Sequence, residues 1–307
     1  MASRHRPVLE DGKLQRRLEA AQAALHDCAL CGNRCHIDRT EEAGPCGIKD
    51  TVYVASYGPH HGEERVLSGW RGSGTIFFSG CNLHCVYCQN YDISQYVTGF
   101  AADAGTLRRI MLDLQARGCH NINLVSPTHV VSHIVPALAA AMKQGLYVPI
   151  VYNTGGYDGD QALALMDGLV DIYMPDMKYA DAATGQALSG VRDYPTVNRQ
   201  AVKEMHRQVG DLVIDDEGLA QRGLLVRHLV LPGGIADTVD IARFLAEKVS
   251  LDTYINVMGQ YRPAYRAQAC ATDQYPIDRR PTREEIRTAV QHAREAGLHR
   301  FDEPGFF

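Results

Sequence analysis

What the chain lacks narrows its role before any motif is considered. Nowhere do about 18 apolar residues follow one another, so no segment reads as a membrane-spanning helix. The stretch from Met1 to Leu25 has no apolar core of the kind a secretory signal needs. Long runs of like charge are missing and the net charge is -5, which argues against a dedicated nucleic-acid binder while leaving a local basic groove open. No low-complexity linker or internal repeat is visible. The expected location is the cytoplasm, where thiols stay reduced.

Against these absences stand nine cysteines in 307 residues. Seven of them fall in two tight clusters between Cys28 and Cys88, and disulfides are not expected for either. Cys119 and Cys270 stand apart, and each reads as a small buried packing residue.

The chain is long enough for one large barrel or two ordinary domains. Leu14, Leu18, Ala21 and Leu25 recur at helical spacing over residues 12–29. From Thr75 the pattern becomes strand then helix, repeated. Strands are expected at 75–79, 121–125, 148–152, 171–175, 224–231 and 253–259. Helices are expected at 106–118, 130–144, 161–169, 180–209, 236–250 and 282–297, the last opened by a Thr282–Glu285 capping box. Six strands alternating with helices predict an α/β fold with a parallel sheet. No glycine-rich dinucleotide fingerprint follows the first of these strands, which favours a partial (β/α)6 TIM-like barrel over an open doubly wound sheet.

In such folds the working residues gather at the carboxyl ends of the strands. Read in order, those ends carry Cys81, Cys85 and Cys88, then Ser126–His129, Asn153–Gly156, Asp176–Lys178, Pro232–Gly234 and Gln260–Pro263. Every one is polar, glycine-rich or of ligand type, the profile of a single site at one end of a sheet. The three cysteines are spaced C-x3-C-x2-C. Three thiolates can hold three corners of a cubane iron–sulfur cluster and leave the fourth iron open. The competing reading is a zinc site completed by a histidine such as His84.

C-x3-C-x2-C after a first strand, with Tyr87 just before the last cysteine, resembles the radical S-adenosylmethionine superfamily. The fuller run "GSGTIFFSGCNLHCVYCQNYDISQ", Gly72 to Gln95, is similar to the pyruvate formate-lyase activating enzyme-related subgroup. The resemblance implies an activating-enzyme-like oxidoreductase whose catalytic Cys81, Cys85 and Cys88 ligate a [4Fe–4S] cluster. Its unique iron binds S-adenosylmethionine, and one-electron reduction releases a 5′-deoxyadenosyl radical that abstracts a hydrogen atom. It implies an external electron donor of flavodoxin or ferredoxin type and a possible protein or peptide substrate.

Carried over residue by residue, the resemblance sets Tyr87 near the adenine and makes Asn153 and Thr154 candidate contacts. Asp176 and Lys178 match a D-x-K run near the cosubstrate, and Arg227 matches a basic residue able to meet its carboxylate. Where many relatives have Gly-Gly-Glu, this chain has Ser126, Pro127 and Thr128, so Ser126 and Thr128 are candidate contacts without a carboxylate's charge. His129 also reads as a helix-start residue.

Upstream, Cys28, Cys31, Cys35 and Cys46 are four thiols in one short segment. Four closes a structural zinc site and also completes the ligation of an auxiliary iron–sulfur cluster, and the spacing does not choose between them. Residues 1–50 are thus expected to form a helix and metal-binding segment, 51–74 a connecting or cover loop, and 75–307 the barrel with a C-terminal helix. His60, His61, Glu63 and Glu64 lie in the loop, whose commoner reading is a solvated surface segment. Alternative functions are radical chemistry on a small metabolite or in cofactor maturation, or a non-catalytic metal-binding scaffold or electron carrier.

Overall fold

The computed structural model describes residues 12–302; residues 1–11 and 303–307, which belong to the expected N-terminal segment and the C-terminal end, lie outside the described residues. The strands are β1 (Val52–His60), β2 (Ser73–Phe78), β3 (Phe100–Ala102), β4 (Ile122–Val125), β5 (Ile150–Thr154), β6 (Ile172–Pro175), β7 (Val213–Ile214), β8 (Ala220–Leu229), β9 (Tyr254–Met258) and β10 (Arg300–Phe301). They form one sheet in the order β10-β9-β8-β6-β5-β4-β2-β1-β3, with β7 paired to β8.

All pairings from β2 through β10 along this path are parallel. Each long strand lies beside the next one in the chain, so the winding never reverses as it does in a doubly wound sheet. Among the described residues no pairing joins β9 back to β2. The fold is α/β, with a mostly parallel sheet compatible with a partial barrel. The six strands expected from the apolar runs are all present, within a few residues of their expected ends.

Helices Ala104–Ala116 and Val131–Lys143 cover the outer face with Leu107, Met111, Ile134 and Leu138, each fully buried. Helix ends follow local chemistry. Asp103 caps the first of these through Thr106 at 2.7 Å. The Thr282–Glu285 capping box opens helix Arg283–Glu295 as the spacing predicts. The helical region 180–209 is two helices, Ala182–Ser189 and Tyr194–Val209, because Gly190 at φ 78° ends the first in the left-handed conformation. The N-terminal helix is also shorter than expected, Leu14–Ala23. Beyond it the backbone turns so that Cys28 and Ile37 face each other, with Cys28 N–H on the Ile37 carbonyl at 3.2 Å.

The stretch read as a connecting loop holds more structure than its glycines and polar residues suggest. Its first part is β1, antiparallel to both β2 and β3. Its second part is a single helical turn, Arg65–Ser68, whose Val66 and Leu67 pack in one apolar cluster with Val151, Ile172, Met174, Leu225 and Tyr254. Those strand residues face the inside of the curved sheet, so the turn plugs its hollow. Asn121 secures it, donating to the Leu67 carbonyl at 2.9 Å.

Candidate active site

The residues at the carboxyl ends of the strands enclose one cavity whose empty volume, open mouth included, is about 720 Å³. That is within the size range of cofactor and small-molecule pockets. Cys81, Cys85 and Cys88 line one side, on the loop that follows β2. Facing them are Ser126, Asn153, Thr154, Asp176, Lys178 and Arg227, from the ends of β4, β5, β6 and β8. The fold therefore brings most of the sequence-selected residues to one place.

The charged part of the wall is a buried triad. Asp176 sits between Lys178, Nζ to Oδ2 2.6 Å, and Arg227, Nε to Oδ1 2.9 Å. Arg227 also donates from Nη2 to Asn153 Oδ1 at 2.7 Å. Burial pushes the Asp176 carboxyl up, but Arg227 and then Lys178 outweigh it and hold the group below the usual carboxylate range. Burial alone would pull Lys178 down; Asp176 and Cys85 reverse this and raise it well above the ordinary lysine value. Both cations stay charged, which suits an anionic or zwitterionic ligand.

Helix Tyr194–Val209 props this wall from behind. Asn198 Nδ2 donates to the Gly156 and Asp176 carbonyls at 3.0 and 2.9 Å, and Tyr194 donates to the Gly155 carbonyl at 2.8 Å. Gly156 has φ 76°, and a Cβ there would lie 2.3 Å from the Asp176 carbonyl oxygen. The second glycine of "NTGG" therefore lets two strand-end loops run against each other.

Each thiol has a hydrogen-bond partner. Cys81 Sγ accepts the Leu83 N–H at 3.4 Å. Cys85 Sγ lies 3.0 Å from Ser189 Oγ, and Cys88 Sγ 3.2 Å from Ser94 Oγ. Burial pushes the Cys81 thiol up to about 12, with Cys85 adding to it and Lys178 pulling it down. Ligation by a metal removes that proton outright. Three thiols on one wall, each with a donor for its sulfur and a lysine nearby, fit a cluster held at three corners.

Some expected contacts are arranged otherwise. Tyr87 is buried and is not among the residues lining the cavity. Its hydroxyl lies 2.5 Å from that of Tyr179, which lies 2.8 Å from Ser189 Oγ, so Tyr87 ends a chain of hydroxyls leading to Cys85. Thr128 also lies outside the lining, and its hydroxyl donates to Asp158 at 2.6 Å. Thr154 lines the cavity, yet its hydroxyl is given to Asp158 at 2.8 Å. Asp158 collects a third donor, the Tyr152 hydroxyl at 2.9 Å. Sequence reasoning passed over Asp158, Tyr179, Ser189 and Asn198; an aspartate four residues past "NT" was the single available signal. Ser126 lines the cavity with φ 55°, a strained conformation for a non-glycine. His129 is buried and its Nε2 donates to the Ser79 carbonyl at 2.9 Å.

The upstream cysteines pack against the same end of the sheet. Cys31 forms a β-bridge with Asp158, and Asn33 donates to the Asn82 carbonyl at 2.9 Å. Gly80, at φ 81°, leaves room for the Cys46 carbonyl, which a Cβ would approach to 2.6 Å. Buried Arg39 donates to the carbonyls of His129 and Lys49. Burial pushes the Cys31 thiol up to about 12, with Cys46 and Cys28 adding to it, which places these thiols within electrostatic reach of one another. Among the described residues no three His, Cys, Asp or Glu side chains are drawn tightly enough to hold a single ion.

Comparison with known proteins bears on this arrangement. Residues 75–245, from β2 through helix Thr238–Lys248, match the radical SAM superfamily. The chain belongs to that superfamily. A [4Fe–4S] cluster and S-adenosylmethionine are therefore its implied cofactors. It is 33% identical over 295 residues to the uncharacterized protein MJ0674 of Methanocaldococcus jannaschii, covering 93% of this chain and 79% of that one. Among solved structures it is similar to Streptococcus suis SuiB bound to S-adenosylmethionine, at 12% identity and a TM-score of 0.48, over 73% of this chain. The SuiB structure bound to precursor peptide SuiA gives 13% and 0.46, again over 73% of this chain. The chain spans about half the length of SuiB, 48% and 46% in the two structures. Among the described residues no helix of this radical SAM protein is long and apolar enough to cross a membrane.

Proposed function

We propose that this protein is a radical enzyme acting by hydrogen-atom abstraction on a protein or peptide, with activation of a glycyl-radical partner as the specific form. Cys81, Cys85 and Cys88 would hold the [4Fe–4S] cluster. When bound, the cluster and S-adenosylmethionine supply reductive cleavage of the sulfonium to a 5′-deoxyadenosyl radical. The observation that carries the reading is the three-thiol wall facing Asp176, Lys178 and Arg227 across one cavity. Lys178 and Arg227 would bind the cosubstrate carboxylate, Asp176 would orient both cations, and Asn153 and Ser126 would offer polar contacts. Thr154, Thr128 and Tyr87 would position neighbours rather than donate directly.

A macromolecular substrate is favoured by the surface near the cysteine loop. Tyr91 and Tyr265 stack there at 5.1 Å, both exposed, and Tyr96 and Val97 are exposed nearby. Exposed apolar surface of this kind suits docking of another chain. The same site with a small metabolite, or in cofactor maturation, is the second reading. Cys28, Cys31, Cys35 and Cys46 would close in around zinc or an auxiliary iron–sulfur cluster on binding it, an external flavodoxin- or ferredoxin-like protein would supply electrons, and the cytoplasm would be the setting. Residues 1–50 would act as the metal-binding segment beside the barrel.

Anaerobic reconstitution tests the core of this. Reduced protein should show a [4Fe–4S] resonance and turn S-adenosylmethionine into 5′-deoxyadenosine, and Cys85→Ala should lose both. Full cleavage in Cys85→Ala, or zinc without iron at these thiols, refutes the assignment.

A further inference from the structure

Behind the Arg227–Asp176 pair, on the side away from the thiols, the hollow of the sheet holds polar groups that the cavity description leaves out. Glu64 is 6% exposed and Asn123 is fully buried. Glu64 Oε1 accepts from Asn256 Nδ2 at 3.0 Å, while its Oε2 has no partner. The Asn123 amide nitrogen is turned toward the Glu63 carboxyl, and its Oδ1 has no partner. Asn123 faces inward: it pairs in register with Val151 of the inner cluster, while its neighbours Ile122 and Leu124 pack under the outer helices. Asn256 is the register partner of Arg227, so Glu64 reaches the strand position beside that arginine.

Two buried oxygens side by side without a donor call for an explanation, since each costs the desolvation of a group that water would otherwise satisfy. Partly exposed Glu63 adds a second carboxyl on the same turn. Burial pushes that carboxyl up to about 7, against the pull of Arg227 and with Glu64 raising it further. Glu63 and Glu64 thus share Arg227 with Asp176, which leaves acceptors in excess on their side of that arginine.

We propose that Glu63, Glu64 and Asn123 form a subsite for a protonated nitrogen group of the substrate, an ammonium or a guanidinium. The unpaired Glu64 and Asn123 oxygens accept its N–H donors, and Arg227 separates it from the thiol wall. The subsite rests on the radical-enzyme reading and adds the chemical class of the group that reading left open.

The test uses the reconstituted full-length protein saturated with S-adenosylmethionine, probed with methylguanidinium and methylammonium by saturation-transfer NMR at fixed ionic strength. Acetamide serves as the neutral control. The cations should bind at least about tenfold more weakly to Glu64→Gln than to wild type, with acetamide unchanged. Asn123→Leu, which keeps the volume, should weaken them similarly, and S-adenosylmethionine affinity should stay within about twofold in both variants. Equal binding to wild type and Glu64→Gln means surface association and overturns the subsite. Absence of cation binding, or a parallel loss of S-adenosylmethionine affinity, overturns it too. Failure of the enzyme reading looks different, because wild type itself would then neither bind S-adenosylmethionine nor yield 5′-deoxyadenosine. Matching thermal melts show that each variant is folded.

Discussion

Replacing Asp176 by Asn strands two buried cations while leaving the shape of the wall intact. Its side chain is 15% exposed, and those of Lys178 and Arg227 are 16% and 18% exposed, so water does little to rescue them. Removing one partner of a buried pair costs about 3–5 kcal/mol. The lower end applies, because the asparagine oxygen still accepts from Arg227 and Glu63 and Glu64 still face that arginine. At about 2–4 °C per kcal/mol for a large domain, the melting temperature should fall by about 6–12 °C. Differential scanning calorimetry under argon, at matched iron content, reads this directly. Asp176→Asn combined with Lys178→Met should recover at least half the loss, because one of the two stranded cations, the one that Glu63 and Glu64 do not face, is then gone. A single-variant shift below about 2 °C, or no recovery in the double variant, refutes the account of the triad.

Three further outcomes follow from the same physics. His129 is buried and held at about 4, so the unfolded chain takes up a proton below its ordinary value near 6.5 that the folded protein refuses. Stability is therefore full above pH 6.5 and falls by about 3 kcal/mol as pH drops toward 4, and urea melts of His129→Gln should show a flatter dependence; identical slopes refute it. Ser189→Ala removes the hydroxyl beside Cys85, which should lower the cluster's reduction potential and break the link to Tyr179; an unchanged potential in anaerobic titration argues that the serine does not donate to sulfur. Gly156→Ala meets Asn198 Nδ2 at 2.2 Å at a positive φ, so it should destabilise by about 2 kcal/mol or more in chemical denaturation, and a neutral effect would mean the loops part freely.

The parallel strands were legible because they are buried on both faces and read as short runs rich in β-branched and apolar residues, such as Ile122–Val125 and Val148–Tyr152. The winding followed from their alternation with amphipathic helices. β1 was missed because Gly58 and Pro59 sit inside it, in the part beyond Val54 that β3 does not reach and where one free side tolerates both. The turn at Arg65–Ser68 is four residues long, too short to show a period, and its burial depends on Tyr254, far along the chain. At the site, cysteines and strand-end charges stood out by residue type and spacing. Asp158, Ser189 and Asn198 act by holding other groups, and apart from the place of Asp158 four residues past Thr154 nothing in their local sequence marks that task. Tyr87 was placed by resemblance, whereas its hydroxyl is tied to Tyr179.

The turn that fills the hollow also sets a condition on how this chain reaches its folded state. Glu64 meets Asn256 across 192 positions of sequence. The interior is thus built from a segment near the start of the chain and a strand near its end. Loop closure over such a span delays that contact relative to the neighbouring strand pairings. During synthesis the sheet from β2 to β8 can pair strand by strand, while Val66 and Leu67 wait for Tyr254 to complete their surroundings. β9 thereby completes the surroundings of Glu64, so a chain cut before it would carry the three cysteines and lack Asn256 and Tyr254, which hold the turn beneath them.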